Sequence, residues 1–225
     1  MQRMVVLANS RKCGGYCLAG KALDLAGHVG NWVRPVTESV VDGLPWQRTL
    51  CRDGRQAAFL DVVSVQWGRP APSLHQRENC LIGPAALERC GRVHWDDLPI
   101  LADIAASGLW LDGHSSHCGL NDRVPARQLS ALPGSLRLLA VSELALYGKP
   151  GHEGQMKHRA DFRIGQRRYN LALTDTVATT WLAGMQRLEL ADAYLCVSLA
   201  VPFRDGFAYK LATAVITRKR AGGTR

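Results

Sequence analysis

Along almost its whole length this chain alternates short runs of Val, Leu and aromatic residues with Gly, Pro, Asn and Asp, and that punctuation restricts its fold most. Such short runs leave no room for long helices and suit β-strands joined by tight turns. In the first half the strand candidates are residues 4–8, 31–36 and 59–67. Residues 84–90 and 99–109 read as short helices, because Pro84 and Pro99 can start them and Leu101, Ile104 and Ala105 fall at helical spacing. Residues 110–121 turn small and polar, which signals a loop.

The second half is more plainly β. Residues 136–147 form one long strand candidate, and residues 159–164 and 167–173 flank Gly165 and Gln166. A two-residue link with Gly first is what a tight hairpin requires. Alternation from Ala160 to Ile164 puts Asp161 and Arg163 on one face and the apolar residues on the other. Residues 176–182 can make one or two helical turns, and strands at 194–201 and 207–217 flank a turn at 202–206. The basic, Gly-rich tail 218–225 is expected to fray.

Two sets of about five short strands, each with a small helical insert, describe a mainly β protein of two small barrels packed in tandem. The oligonucleotide-binding (OB) barrel is one such architecture; strand number alone leaves SH3-like barrels and a single large mixed sheet open. The expected limits are an N-terminal OB-like domain over residues 1–121, a connection over 122–135 marked by Pro125, Pro133 and Gly134, and a basic C-terminal OB-like domain over 136–225. No residue-by-residue repeat links the halves.

With 47% apolar and 21% charged residues, the chain belongs with folded globular proteins rather than disordered ones. No run approaches the roughly 20 apolar residues of a membrane span, and the apolar run after Met1 is too short for a secretory signal, so a cytoplasmic location and no membrane partner are expected. Seven cysteines, an odd number at irregular positions, read as reduced thiols. The formal net charge of +9 favours a polyanionic partner. Residues 1–120 hold 12 Lys and Arg against 11 Asp and Glu, whereas residues 121–225 hold 16 against 8, so the excess sits in the second half. Arginine outnumbers lysine 22 to 6, which suits bidentate contact with phosphate, although a GC-rich genome would also inflate it.

From Leu7 to Gly20, through Asn9-Ser10-Arg11-Lys12-Cys13-Gly14-Gly15-Tyr16-Cys17, the chain resembles the bacterial family of dual OB domain-containing proteins. The resemblance continues at Trp32-Val33-Arg34-Pro35-Val36, Leu60-Asp61-Val62-Val63 and His75-Gln76-Arg77-Glu78-Asn79. It extends to Tyr169-Asn170-Leu171, Cys196-Val197-Ser198-Leu199 and Tyr209-Lys210-Leu211. It implies two OB-type barrels and a role in nucleic-acid binding or modification, often in genome defence. It carries over no catalytic residue.

The residues themselves offer several contacts. Asn9, Ser10, Arg11 and Lys12 at a strand end, backed by Gly14 and Gly15, can form an anion cradle in which Asn9 reads a base edge. Trp32 and Arg34, two apart and so on one strand face, can stack a base and hold its phosphate. The plainer alternative is a core tryptophan with Arg34 tied to a structural carboxylate. Glu78 and Asn79 lie in a dense polar run, where Asn79 can read an adenine-type edge and Glu78 can orient Arg34 or carry a proton; a solvated loop would look the same. Lys149, Lys157, His158, Arg159, Arg163, Arg167 and Arg168, interleaved with Tyr147 and Tyr169, are the best candidate for a groove that tracks a phosphate backbone, and Lys210 near the last strand can add to it.

The leading expectation is a nucleic-acid-binding protein, DNA ahead of RNA, recognising a specific or modified base in a DNA-modification or defence setting. The alternative is an enzyme that modifies a base, for example to a deazapurine type, with Cys17 as nucleophile and Glu78 as proton carrier. A second alternative is a protein–protein adaptor, and other subunits of such a system are possible partners. The polar turn is not a nucleotide phosphate loop, since the G-x-x-x-x-G-K-[ST] spacing is absent, and no cofactor is expected. Four of Cys13, Cys17, His114, His117 and Cys118 could form a tetrahedral zinc site, but there is no second clean Cys pair and the family resemblance implies no metal, so none is assigned.

Overall fold

The computed structural model describes residues 2–12, 14–38, 43–104, 108–151 and 155–222, leaving aside the side chains of Arg11 and Lys12. The chain divides into two compact units, Met1–Leu101 with Arg218–Arg225, and Ala102–Thr217. Both are built from β-strands with a few short helical turns, in two sheets.

In the first unit β1 (Gln2–Lys12), β2 (Gly15–Leu23) and β3 (Val29–Val36) form an antiparallel meander. After a 3-10 turn at Trp46–Thr49, β4 (Asp61–Val65) runs antiparallel to β1. The chain then bends at Gln66 into β5 (Trp67–Pro70), which pairs antiparallel with β6 (Asn79–Ile82). In turn β6 lies parallel to β3 through Arg34–Asn79, Pro35–Cys80 and Val36–Leu81. Segment 61–70 is therefore one bent strand that joins both ends of the sheet. Counted in chain order, the five strands close as first, second, third, fifth, fourth and back to first. An added strand, β7 (Glu88–Arg92), edges β4. Met4, Val6, Leu18, Val63, Val65 and Leu87 fill the interior. The β1–β2 pair shifts register between Val6 and Ala8. Nearby, a Cβ on Gly20 would lie 1.7 Å from the Val5 carbonyl oxygen, so only glycine fits there.

Three expectations for this unit change. Residues 84–90 are not a helix: Leu87 bridges to Cys51 and is buried, and the chain runs on as β7. Only α1 (Leu98–Leu101) forms from the 99–109 candidate, because Ile100 and Ile104 are exposed and give a longer helix no apolar stripe to bury; residues 105–107 lie outside the described set. The described part of the tail, residues 218–222, is packed rather than frayed. Arg218 sits 5.2 Å from the Trp95 ring and pairs with Asp96, Arg220 sits 4.2 Å from the Phe59 ring, and Ala221 is buried.

The second unit repeats the topology. The long strand read at 136–147 breaks at Ser142 and Glu143 into β9 (Leu136–Val141) and β10 (Leu144–Pro150). Antiparallel pairs follow between β10 and β11 (Met156–Ile164), and between β11 and β12 (Arg167–Leu173), around the expected hairpin turn where Gly165 has φ 56°. Asp175 caps α2 (Thr176–Thr180) by accepting from the amides of Val177 and Ala178. Then come β13 (Arg187–Leu190) on the edge of β10, β14 (Ala193–Leu199) against β9, and β15 (Phe207–Ile216). Here the bent strand is the first, β9 with β10, and again the third strand, β12, lies parallel to the fifth, β15.

That parallel contact spans only Ala172–Leu211 and Leu173–Ala212. Where the two strands splay, the chain from 120 to 125 fills the gap. Leu120 bridges to Asn170, the Lys210 amide donates to the Asp122 carbonyl, and β8 (Arg123–Pro125) pairs with β15. Residues 110–125, read from sequence as a loop and the start of a connection, thus complete the wall of this barrel, and the contact boundary falls between 101 and 102.

Candidate nucleic-acid interface

Strand alternation sorts the basic stretch of the second unit into two sets. Leu144, Leu146, Ala160, Phe162, Tyr169 and Leu171 face the core. The opposite parity points outward: Tyr147 and Lys149 on β10, Lys157, Arg159, Asp161 and Arg163 on β11, Arg168 and Asn170 on β12, and Arg187 and Glu189 on β13. In register, Tyr147 stands between Arg159 and Arg187, Lys149 beside Lys157, and Arg163 beside Arg168. Lys157, Arg163, Arg168 and Arg187 are exposed, whereas Tyr147 and Lys149 are half-buried.

The face is braced from within its own sheet. Asp161 accepts two hydrogen bonds of 2.9 Å from Arg168. Burial would raise the Asp161 carboxyl, but the hydrogen bonds from Arg168 and Asn170 outweigh it and hold that group below the usual carboxylate range. Asn170 donates to the Tyr147 hydroxyl at 2.6 Å and accepts from Arg159 Nε at 2.7 Å. Arg159 is buried and pairs with Asp122 at 3.6 Å, and Asp122 accepts from the Ser116 amide and hydroxyl. A Cβ on Gly119 would fall 1.9 Å from Asp122 Oδ2, so glycine lets this segment lie flat on the pair. Asn121, in the left-handed region at φ 50°, bonds the Arg168 carbonyl and the Gly113 amide.

Tyr169 and Lys210 are not on that face. Both are buried, Tyr169 stacked on Phe162 with its hydroxyl donating to Asp112 at 2.7 Å. Lys210 Nζ reaches Asp112 at 3.0 Å and the Leu111 carbonyl at 2.8 Å, and lies 5.4 Å from the Tyr169 ring. Burial pushes the Lys210 ammonium below the usual lysine range, against the pull of Asp112, and pushes the Tyr169 phenol up. The pair supports loop 109–112 from beneath.

In the first unit the stretch from Leu7 to Gly20 is the β1–β2 hairpin, with Ser10 opposite Cys17, Arg11 opposite Tyr16 and Lys12 opposite Gly15. The side chains of Arg11 and Lys12, and all of Cys13, lie outside the described residues. Asn9 pairs with the core residue Leu18, and its amide donates to the Ala57 carbonyl at 2.8 Å. Ser10 is buried and Cys17 is a half-buried free thiol. Trp32 stands beside Lys21, whose Nζ is 5.7 Å from the ring. Arg34 is tied to a carboxylate: it meets Glu78 at 3.1 Å and Asn79 at 3.4 Å, all three side chains buried. His75 and Gln76 are buried as well, so of the polar run 75–79 only Arg77 stands exposed and the run is not a solvated loop. Among the described residues no three His, Cys, Asp or Glu side chains form a metal site, and no helix is long and apolar enough to cross a membrane.

Arg187 was missed by sequence reasoning. The alternation of Arg187-Leu188-Glu189-Leu190 was its signal, a short strand with two apolar residues facing in.

Two closed five-stranded Greek-key barrels, each with a parallel third–fifth contact and one bent strand, define a protein with two OB barrels. The chain belongs to the family described as the dual OB-containing domain, whose profile matches residues 2–215. No curated protein and no solved structure matches it.

Proposed function

We propose that this protein binds a nucleic-acid strand on the outer face of its second barrel. The observation that carries the reading is the gathering of Tyr147 with Lys157, Arg163, Arg168 and Arg187 on the second and third strands and their neighbours. OB barrels commonly hold oligonucleotides across that pair of strands and the loops beside it. An aromatic ring among cations offers both halves of strand binding, base stacking and phosphate neutralisation. Lys149, beside Lys157, extends the basic side.

In the first barrel the Arg34, Glu78 and Asn79 cluster and Ser10 serve as packing in this reading, with Trp32 beside Lys21. Arg11 and Lys12, near the tip of the hairpin between first and second strands, are the contacts that barrel would add. In this reading the strand is DNA ahead of RNA and carries a specific or modified base in a genome-defence setting, as the family resemblance implies. Fluorescence anisotropy with single- and double-stranded DNA and RNA at low salt tests the reading. Saturable binding that weakens as salt rises is expected; no binding to any of the four overturns it.

A further inference from the structure

Beside this outer face lies a cleft of about 530 Å³ with walls from two places. One wall is the far end of the β10–β11 hairpin, where Gly148 pairs with His158 and Pro150 with Met156. The other is the segment between α2 and β13, with Leu182, Met185 and Gln186, and Arg187 at the start of β13. Gly148 and His158 continue the face that carries Leu146 and Ala160 inside the barrel, but here it opens on the cleft. A Cβ at Gly148 would stand 3.0 Å from the Met156 sulfur, so glycine keeps the floor open.

Two features give the cleft its chemistry. Met156 and Met185 are 56% and 48% exposed, an unusual cost for two apolar side chains flanking one opening. Arg187 lines both this cleft and the charged groove along the outer face with Asp161, Arg163 and Arg168. Its guanidinium lies 5.7 Å from the Tyr147 ring centroid, so cleft and groove meet at Arg187, with Tyr147 beside it on the cleft side.

We propose that the cleft receives one unstacked nucleobase from the strand lying on the outer face; this rests on the nucleic-acid reading above. Thioethers and a tyrosine ring are polarisable walls for a flat π-surface. His158 and Gln186 bring hydrogen-bonding groups to the edge of such a base, and Arg187 at the rim meets its phosphate. The volume falls within the range of about 300–1,000 Å³ typical of small-ligand pockets.

The test uses the full chain and the double variant Met156→Ala/Met185→Ala, with a short single-stranded oligonucleotide and the same strand made wholly abasic. The variant is expected to bind the base-bearing strand about tenfold more weakly, the size of one lost stacking site, and the abasic strand as the wild type does. An equal change on both strands, or none on either while the wild type still binds, overturns the cleft proposal and leaves the strand interface standing. If the wild type binds neither strand, both readings fall. Loss of affinity for a free nucleoside monophosphate alone, without loss for the strand, assigns the cleft to a free nucleotide and overturns the proposal. As a second measurement, a thio-substituted base in the strand should photocrosslink to Met156 or Met185; crosslinks confined to Tyr147 or to other residues contradict it.

Discussion

Tyr147 on β10 and Asn170 on β12 meet across the intervening strand β11, the Asn170 amide donating to the Tyr147 hydroxyl at 2.6 Å. The ring offered for stacking is thereby fixed by a residue that itself holds Arg159. Tyr147→Ala should cost about 1–3 kcal/mol of oligonucleotide affinity, the stacking of one base. Tyr147→Phe keeps the ring and should cost less, and Asn170→Ala should fall between the two by freeing it. Anisotropy titrations of the three variants check the order; Phe as weak as Ala would mean the hydroxyl, not the ring, does the binding.

Arg34 on the third strand of the first barrel and Glu78, just ahead of the fifth, form a buried pair. Removing one partner strands the other charge in the interior. Arg34→Ala should therefore destabilise the protein by about 3–5 kcal/mol in urea unfolding, while Arg34→Met/Glu78→Leu should cost less than either single change. An Arg34→Ala protein that keeps its stability and loses affinity would show Arg34 to be a nucleic-acid contact.

Asp161 supplies a pH dependence. Its carboxyl is held below the usual range in the folded state, so its contribution to stability is present above the unfolded value near about 3.9 and is lost as the pH falls through the lower native value. Asp161→Asn should be less stable than the wild type at neutral pH, with the gap narrowing in acid. Denaturant midpoints across the acid range measure it, and a gap that stays constant or widens in acid contradicts the assignment.

Much of this architecture was legible in the chain. The Gly165-Gln166 turn and the outward placement of Asp161 and Arg163 follow from period-two alternation. The same alternation, applied one strand further, separates Tyr169 from Arg168 and sends it into the core. What the sequence could not disclose was partnership over distance. Lys210 reads as one more surface cation until Asp112, 98 residues earlier, is found against it. Likewise Arg34 meets its carboxylate only because β6 returns parallel to β3. The polar segment 110–121 reads as a loop because single side chains anchor it to the barrel: Asp112 accepts from Tyr169, Asn121 donates to the Arg168 carbonyl, and Asp122 just beyond it pairs with Arg159.

The most direct test of strand binding on the second barrel is the salt dependence of affinity for single-stranded DNA, compared between the wild type and Lys157→Glu/Arg163→Glu. Both residues are exposed, so the change acts on the surface and not on the fold. If each contacts a phosphate, the slope of log K against log salt should become shallower by about 1.4, at about 0.7 per contact, and affinity at low salt should fall sharply. Equal slopes and affinities in the two proteins would contradict the account.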